Sequence, residues 1–231
     1  MSKDKIYFAS DFHLGIPNRE ESHKREKRIV SWLTKIEKDA KAIYLVGDIF
    51  DFWFEYKKVV PKGFVRLLGK LASLTDNGTS IHLFVGNHDL WAKDYLEKEV
   101  GITIHHKSTV LKEQSKKIFI SHGDGLGKGD IYYKFIKKLF TSKICQWAFA
   151  RLHPNLALSI AHTWSNNSRK NHDTPFVSKE KEILVGFCMK NQKIRPVDYY
   201  IFGHRHAPIE LKIDHQSKYI NLGDWLTHNT Y

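Results

Sequence analysis

The sequence predicts a layered α/β fold with a cluster of polar side chains gathered at the carboxyl ends of its strands. Five short apolar runs each end in a polar cluster built from metal-ligand residue types. Segments with helical apolar spacing lie between them, and such alternation argues a layered architecture with a largely buried sheet. From about residue 129 to 172 that rhythm breaks, so a separate helical unit is inserted into the core.

The first run, Ile6 to Ser10, leads into Asp11-Phe-His13. Glu20 to Ala40 follows, with Ile29, Leu33 and Ile36 on one face of an amphipathic helix. Ala42 to Val46 ends in Gly47-Asp48. A second helix over Lys62 to Asp76 carries Phe64, Leu67, Leu68, Leu71 and Leu74, and Asn77-Gly78 stops it. Ile81 to Val85 ends in Gly86-Asn87-His88-Asp89, with a short helix expected over Leu90 to Val100. Ile118 to Ser121 ends in His122-Gly-Asp124. A helix over 176 to 190 precedes the last run, Tyr199 to Phe202, which ends in Gly203-His204-Arg-His206. Open α/β sheets bind ligands at such strand ends, so this arrangement predicts a metal site.

The insertion between the fourth and fifth clusters has no strand-like run and is dense in aromatics: Tyr132, Tyr133, Phe135, Phe140, Trp147, Phe149 and Trp164. It reads as two or three helices forming a lid over the strand ends, against the alternative of a decoration packed on the side of the sheet. The expected division is a core of residues 1–128 and 173–231 and a lid of 129–172.

Composition excludes several classes. Hydrophobic residues at 42% and charged residues at 27% describe an ordinary globular protein rather than a disordered one. No apolar stretch approaches the roughly 18 to 20 residues a membrane-spanning helix needs, and the first apolar run reaches Asp11 too early for a signal peptide. Cys145 and Cys188 are far apart and in no metal spacing, which points to a reducing compartment, the cytoplasm by default. The outlier is a net charge of +12, which favours an anionic partner: nucleic acid, a phosphorylated substrate or an anionic membrane surface. Eight Lys or Arg against one acid, Asp130, lie from Lys128 to Lys170, so a formal +7 of that excess sits in this one segment.

The candidate ligands are Asp11, His13, Asp48, Asn87, His122, His204 and His206. Imidazole and oxygen donors without thiolate fit a catalytic Mn, Fe or Zn ion better than a closed structural zinc. Seven ligands are too many for one ion and suit two ions sharing a carboxylate. A pair roughly 3.5 to 4 Å apart activates a nucleophile and stabilises an in-line displacement.

The ordered series Asp-x-His, Gly-Asp-x-x-Asp, Gly-Asn-His-Asp, His-Gly-Asp and Gly-His-x-His resembles the calcineurin-like metallophosphoesterases, over residues 6 to 224. The resemblance implies a four-layer αββα sandwich with a dinuclear site. It assigns Asp11, His13, Asp48 and His206 to one ion and Asp48, Asn87, His122 and His204 to the other, with Asp48 as the bridge. It makes His88 the catalytic histidine and Asp51 the acid that orients it, the alternative being that Asp51 only caps a turn. Asp89 and Asp124 either orient neighbouring ligands or satisfy turn amides. His23, His105, His106, His215 and His228 read as surface or structural residues, and a substrate contact by His153, His162 or His172 has no support in the sequence.

A second resemblance lies in His122-Gly-Asp-Gly-Leu-Gly-Lys-Gly-Asp130-Ile-Tyr-Tyr133 and in Asn167-Ser168. These are similar to the UDP-2,3-diacylglucosamine pyrophosphatases of lipid A biosynthesis. That resemblance implies Mn-dependent hydrolysis of the pyrophosphate to UMP and 2,3-diacylglucosamine 1-phosphate, at the anionic inner membrane of a Gram-negative bacterium. The implied substrate contacts are Asn87, His88, Asp130, Tyr133 and Ser168. This chain has His88 and Arg205 where the best-known branch has Arg and Thr, and His172 and Pro175 where Lys and Asn are expected. These departures mark a variant branch. Another metal-dependent phosphodiesterase or phosphatase is the alternative. A nuclease using the basic, aromatic insertion as a stacking groove is disfavoured by the lack of an appended DNA-binding domain. A scaffold would have lost ligands, and all seven are present.

Overall fold

Strand β1 (Lys5–Ala9) pairs in parallel with β2 (Ala40–Leu45), and the 18-residue helix α1 (Arg19–Ile36) makes the crossover between them. Asn18 starts α1 by accepting the Glu21 amide on its side chain at 3.0 Å, which satisfies one of the orphan donors of the first turn. Helix α2 (Val65–Asp76) joins β2 to β3 (Ser80–Phe84), and the short α3 (Tyr95–Val100) joins β3 to β4 (Thr103–His105). These four strands form one all-parallel sheet in the order β1-β2-β3-β4. The computed structural model describes residues 3–127, 131–172, 178–179 and 182–231.

A hairpin of β5 (Thr109–Glu113) and β6 (Lys116–Ile120) opens the second sheet. Helices α4 (Ile131–Phe140), α5 (Lys143–Phe149) and α6 (Pro154–His172) then interrupt it. After α7 (Ile183–Ile194) come β7 (Tyr199–Phe202), β8 (Pro208–Lys212) and β9 (Lys218–Leu222). The second sheet has the order β5-β6-β7-β9-β8, parallel in the middle and antiparallel at both margins.

Alternation along the strands explains how the sheets stack. On β2, Ile43 and Leu45 meet α1 and α2 (Ile29, Leu33, Leu67, Leu71), while Ala42, Tyr44 and Val46 turn to the opposite face. There they meet Ile118 and Ile120 of β6, Ile201 of β7 and Leu222 of β9. Phe119 of β6, one residue out of phase, packs with Val185 and Cys188 of α7. A strand's side-chain period of two thus builds three apolar interfaces and four layers, α–β–β–α. Each fully buried Ile or Leu contributes roughly 2 kcal/mol. Both cysteines are free. Among the described residues no helix is long and apolar enough to cross a membrane.

The expected helices shift at their ends for local reasons. The helix expected from Glu20 to Ala40 stops at Ile36, and Ala40 instead begins β2. The short third helix starts at Tyr95, not Leu90, because Glu55 accepts the amides of Asp94 and Tyr95 at 2.9 and 3.1 Å. The last expected helix, 176 to 190, lies over Ile183–Ile194, and 173–177 fall outside the described residues. Three helices occupy the insertion, and their contacts fall on the loops after β2, β3 and β6. Phe149 lies among Phe52, Phe54 and Trp91 with ring centroids 4.8 to 5.9 Å apart. The Trp91 indole donates to the Phe140 carbonyl at 2.7 Å, and Lys137 pairs with Asp124 at 2.5 Å.

Candidate metal centre

All five polar clusters come together at one end of the two sheets. Asp11 and His13 follow β1, Asp48 follows β2, Asn87 and His88 follow β3, His122 follows β6, and His204 and His206 follow β7. Main-chain and side-chain bonds tie these loops to one another. The His13 amide donates to the Asp48 carbonyl at 2.9 Å, and the His88 amide to Asp48 Oδ1 at 2.9 Å. The His204 amide donates to both Asp11 carboxylate oxygens at 3.2 and 3.0 Å. Asp89 accepts the Gly86 and Ile49 amides at 2.7 and 2.8 Å, so it satisfies turn amides and links two ligand loops.

Among the described residues three groups of largely buried donors result, two made of expected ligands alone and a third, His13, Asp51 and His88, that shares His13 with the first. Asp11, His13 and His206 offer ligand atoms within 4.8 Å of one another, as do Asp48, His122 and His204. His13 Nε2 lies 3.8 Å from Asp48 Oδ2, so the groups adjoin. Asn87 Oδ1 lies 3.2 Å from His122 Nε2 and joins the second group. Of the seven expected ligands, every one is in this cluster.

The donor chemistry fits cations. A carbonyl only accepts, so the contact of 2.8 Å between His122 Nδ1 and the Val46 carbonyl fixes the proton on Nδ1. Nε2 then faces Asp48 Oδ2 and Asn87 Oδ1, both at 3.2 Å and both acceptors, so it meets them as the N–H of an imidazolium or as a lone pair with a cation between. His13 Nε2 and His206 Nε2 face each other at 2.9 Å beside Asp11. Acceptors converging in a buried site call for positive charge, which two divalent ions would supply.

Without bound ions, the carboxylates and imidazoles of the cluster balance much of each other's charge. Burial opposes charge on Asp11, yet His13 and His206 hold its carboxyl well below the usual carboxylate range. Burial likewise opposes charge on Asp48, and His122 and His88 outweigh it. Against their own burial, His13 is raised by Asp11 and Asp51, and His122 by Asp48. His204 falls to about 4, through burial and the neighbouring His122. Asp89 rises to about 7, through burial and the charge of Asp48.

His88 stands beside the second group, with Nε2 at 4.0 Å from Asp48 Oδ2. Its Nδ1 donates to the main-chain carbonyl of Asp51 at 2.8 Å, while the Asp51 carboxylate lies 3.8 Å away. Burial lowers the His88 pKa more than Asp48 raises it. Asp51 Oδ1 is also 3.6 Å from His13 Nδ1. Of the expected substrate contacts, Asn87 and His88 are in the cluster. Asp130 lies outside the described residues, as do the side chains of Tyr133 and Ser168.

Three contributors escape sequence reasoning. Arg25 on α1 is buried and donates to the carbonyls of His13 and Ile16 at 2.7 and 2.5 Å, which clamps the first ligand loop. Asp224, after β9, accepts the Thr227 and His228 amides, and the next amide, Trp225, donates to the Asp11 carbonyl. Ser165 on α6 touches both Asp51 and His88. Arg25 and Ser165 lie on helices, away from the strand ends that revealed the rest, whereas Gly223-Asp224 does follow a strand, β9, which was not singled out in the sequence. A cleft of about 600 Å³ opens from His122 and Asp124 past Trp91 to Lys93, His106 and Lys107.

Comparison with known proteins matches residues 4–208 to the calcineurin-like phosphoesterase family. A UDP-2,3-diacylglucosamine hydrolase of Porphyromonas gingivalis is 36% identical over 99% of this chain and 93% of its own length. Enzymes of the same name from Pseudomonas putida and Vibrio vulnificus are 27% and 25% identical, over 95% and 96% of this chain and 90% of each of theirs. Among solved structures, a protein of unknown function from Aquifex aeolicus shares the fold, with a TM-score of 0.50 and 18% identity over 97% of this chain and 92% of that one.

Proposed function

This chain belongs to the calcineurin-like phosphoesterases, and from that premise we propose that it hydrolyses the pyrophosphate of UDP-2,3-diacylglucosamine to UMP and 2,3-diacylglucosamine 1-phosphate. The observation that carries the chemistry is the pair of adjoining Asp/His groups, with Asp48 within 3.8 Å of His13 in one and 3.2 Å of His122 in the other. The substrate reading draws on the likeness, along nearly the whole chain, to enzymes named for that reaction.

In this reading Asp11, His13, Asp48 and His206 hold one divalent ion and Asp48, Asn87, His122 and His204 hold the other, Mn being the metal proposed. Bound there, the two ions supply Lewis acidity at the phosphoryl oxygens and an activated water. The chain's own part is to orient and to move a proton. With Nδ1–H tied to Asp51, the His88 ring presents Nε2 toward the ligand cluster. When the ring also carries a proton on Nε2, as the imidazolium, it would hydrogen-bond a phosphoryl oxygen there or pass that proton to the leaving phosphate as the P–O bond breaks, ending as the neutral Nδ1–H tautomer. Asn87, His88, Asp130, Tyr133 and Ser168 are the proposed substrate contacts, and the cleft beside His122 is the room for the diphosphate.

Residues 129–172 act as a lid on a core of 1–128 and 173–231. Their outer surface exposes Ile144, Trp147, Leu156 and Ile160 beside Lys143 and Arg151, a composition suited to an anionic bilayer. We therefore read the protein as peripheral on the cytoplasmic side of a Gram-negative inner membrane. The test is a Mn-supplemented comparison of UDP-2,3-diacylglucosamine with single-stranded DNA and a generic phosphodiester. Turnover should strongly favour the lipid nucleotide and vanish in Asp48→Ala. Preference for DNA would overturn the substrate, and undiminished turnover by Asp48→Ala the dinuclear mechanism.

A further inference from the structure

The inserted helix α6 reaches the expected catalytic pair. Ser165 is 4% exposed, and its Oγ lies 3.0 Å from each carboxylate oxygen of Asp51 and 3.2 Å from His88 Nδ1. The carboxylate itself is 3.8 Å from that nitrogen, beyond hydrogen-bond reach. A carboxylate only accepts, so the Ser165 hydroxyl proton goes to Asp51. The Oγ lone pairs are then left to accept from His88 Nδ1–H, which also donates to the Asp51 carbonyl at 2.8 Å.

We propose that Ser165 is a positioning residue that bridges the Asp51 carboxylate to the His88 ring, so that the insertion completes the catalytic apparatus as well as covering it. The geometry gives the bridge three consequences. It fixes the tautomer of His88, because both acceptors at Nδ1 require the proton there and leave Nε2 facing the ligand cluster. It holds the Asp51 carboxylate, which otherwise has His13 Nδ1 at 3.6 Å to turn to. It also makes the orientation of His88 depend on the seating of α6, since His162, one turn earlier on the same helix, sits 3.5 Å from Asp51 Oδ2. Removal of the whole insertion would therefore disturb the chemistry on small substrates too, and a point change isolates the bridge better than a deletion. Asp51 is the wrong residue for that purpose because it also faces His13, a proposed metal ligand, whereas the Ser165 hydroxyl reaches the Asp51 carboxylate and His88.

The proposal rests on the hydrolase reading of the site but not on its lipid substrate, so a small diester is the probe. Full-length protein carrying its metals is compared with Ser165→Ala and Ser165→Thr on bis(p-nitrophenyl) phosphate. Metal content and melting temperature are measured alongside. The alanine variant should lose about tenfold in kcat, a part of the 10²–10⁴ a positioned acid or base is worth, with KM within about twofold and metal content unchanged. Threonine, which keeps the hydroxyl, should restore most of the rate. Loss confined to KM, or equal loss in both variants, would overturn the bridge. A second readout needs no turnover: in the zinc-loaded protein, the ring ¹⁵N resonances of His88 should move in Ser165→Ala and return in Ser165→Thr. Unmoved resonances would overturn the bridge as well. A wild type inert toward every phosphoester would instead overturn the hydrolase reading, while the resonances still report on the bridge.

Discussion

Five of the seven proposed ligands sit in left-handed backbone: Asp11 (φ 56°), His13 (42°), Asp48 (54°), His204 (71°) and His206 (49°). Asp and His tolerate that region better than most residues, yet it still costs on the order of 1 kcal/mol at each. Bonds between the loops offset the strain, and close approach restricts which residues can stand beside them. At Gly86 a Cβ would collide with the Asp48 carboxylate, and at Gly203 with Asp11 and Ser10. Gly86→Ala should therefore displace the shared carboxylate and lower bound metal, measured by elemental analysis, together with the melting temperature gained on adding Mn. Retention of full metal content would refute the steric argument. The residues of the cluster were legible in the sequence because donor types recur at successive strand ends, which the fold gathers at one place. Arg25 and Ser165 were not, since a polar residue on a helix carries no mark of what lies across the fold, and Asp224 was missed together with the short strand it follows.

At the scale of the element, β1, β2, β3, β6 and β7 were legible as apolar runs because both their faces are covered. The remaining strands are three to five residues long and were not singled out: β4, β5 and β8 lie at sheet margins and carry Thr, Lys or Glu, as in Thr-Val-Leu-Lys-Glu of β5, and the interior β9 is broken by Lys218 and Asn221. Across the first sheet the rings of Phe8, Tyr44 and His82 stack in sequence, and His82 Nδ1 lies 3.1 Å from His105 Nε2. Burial lowers the pKa of both histidines. Each also feels a histidine neighbour, and Glu97 opposes the shift at His105. A lowered folded pKa gives stability that is present above the ordinary value near 6.5 and is lost as the pH falls through the folded value. Between pH 7.5 and 5.5 the wild type should lose more urea resistance than His82→Phe; parallel curves would refute the assignment. The insertion is seated by aromatic contacts, so Trp91→Ala should cost roughly 3 kcal/mol. Amide exchange should then quicken in α4 and α5 ahead of β2 and β3, whereas uniform quickening would mean that Trp91 supports the core instead.

For the whole molecule, the excess of +12 and the apolar outer face of the insertion point the same way. Ile144 is 78% and Trp147 60% exposed, and the Arg151 guanidinium lies 5.0 Å over the Trp147 ring. Vesicles rich in phosphatidylglycerol should sediment the protein and vesicles of phosphatidylcholine should not. Trp147→Glu should weaken that binding while leaving turnover of a soluble diester unchanged. Equal binding to both lipids would refute the electrostatic part of the membrane reading. The proposed metal centre draws Asp11, His13, Asp48 and Asn87 from loops of the first sheet and His122, His204 and His206 from loops of the second. Each buried group thus lacks one histidine until the turn after β7 exists, and that single turn supplies both. During synthesis, a chain arrested short of Gly203 carries the carboxylates of both groups and neither closing imidazole. On the proposed ligand set, metal capture would therefore wait until about nine-tenths of the polypeptide has been made, and both positions would then become available within three residues of each other.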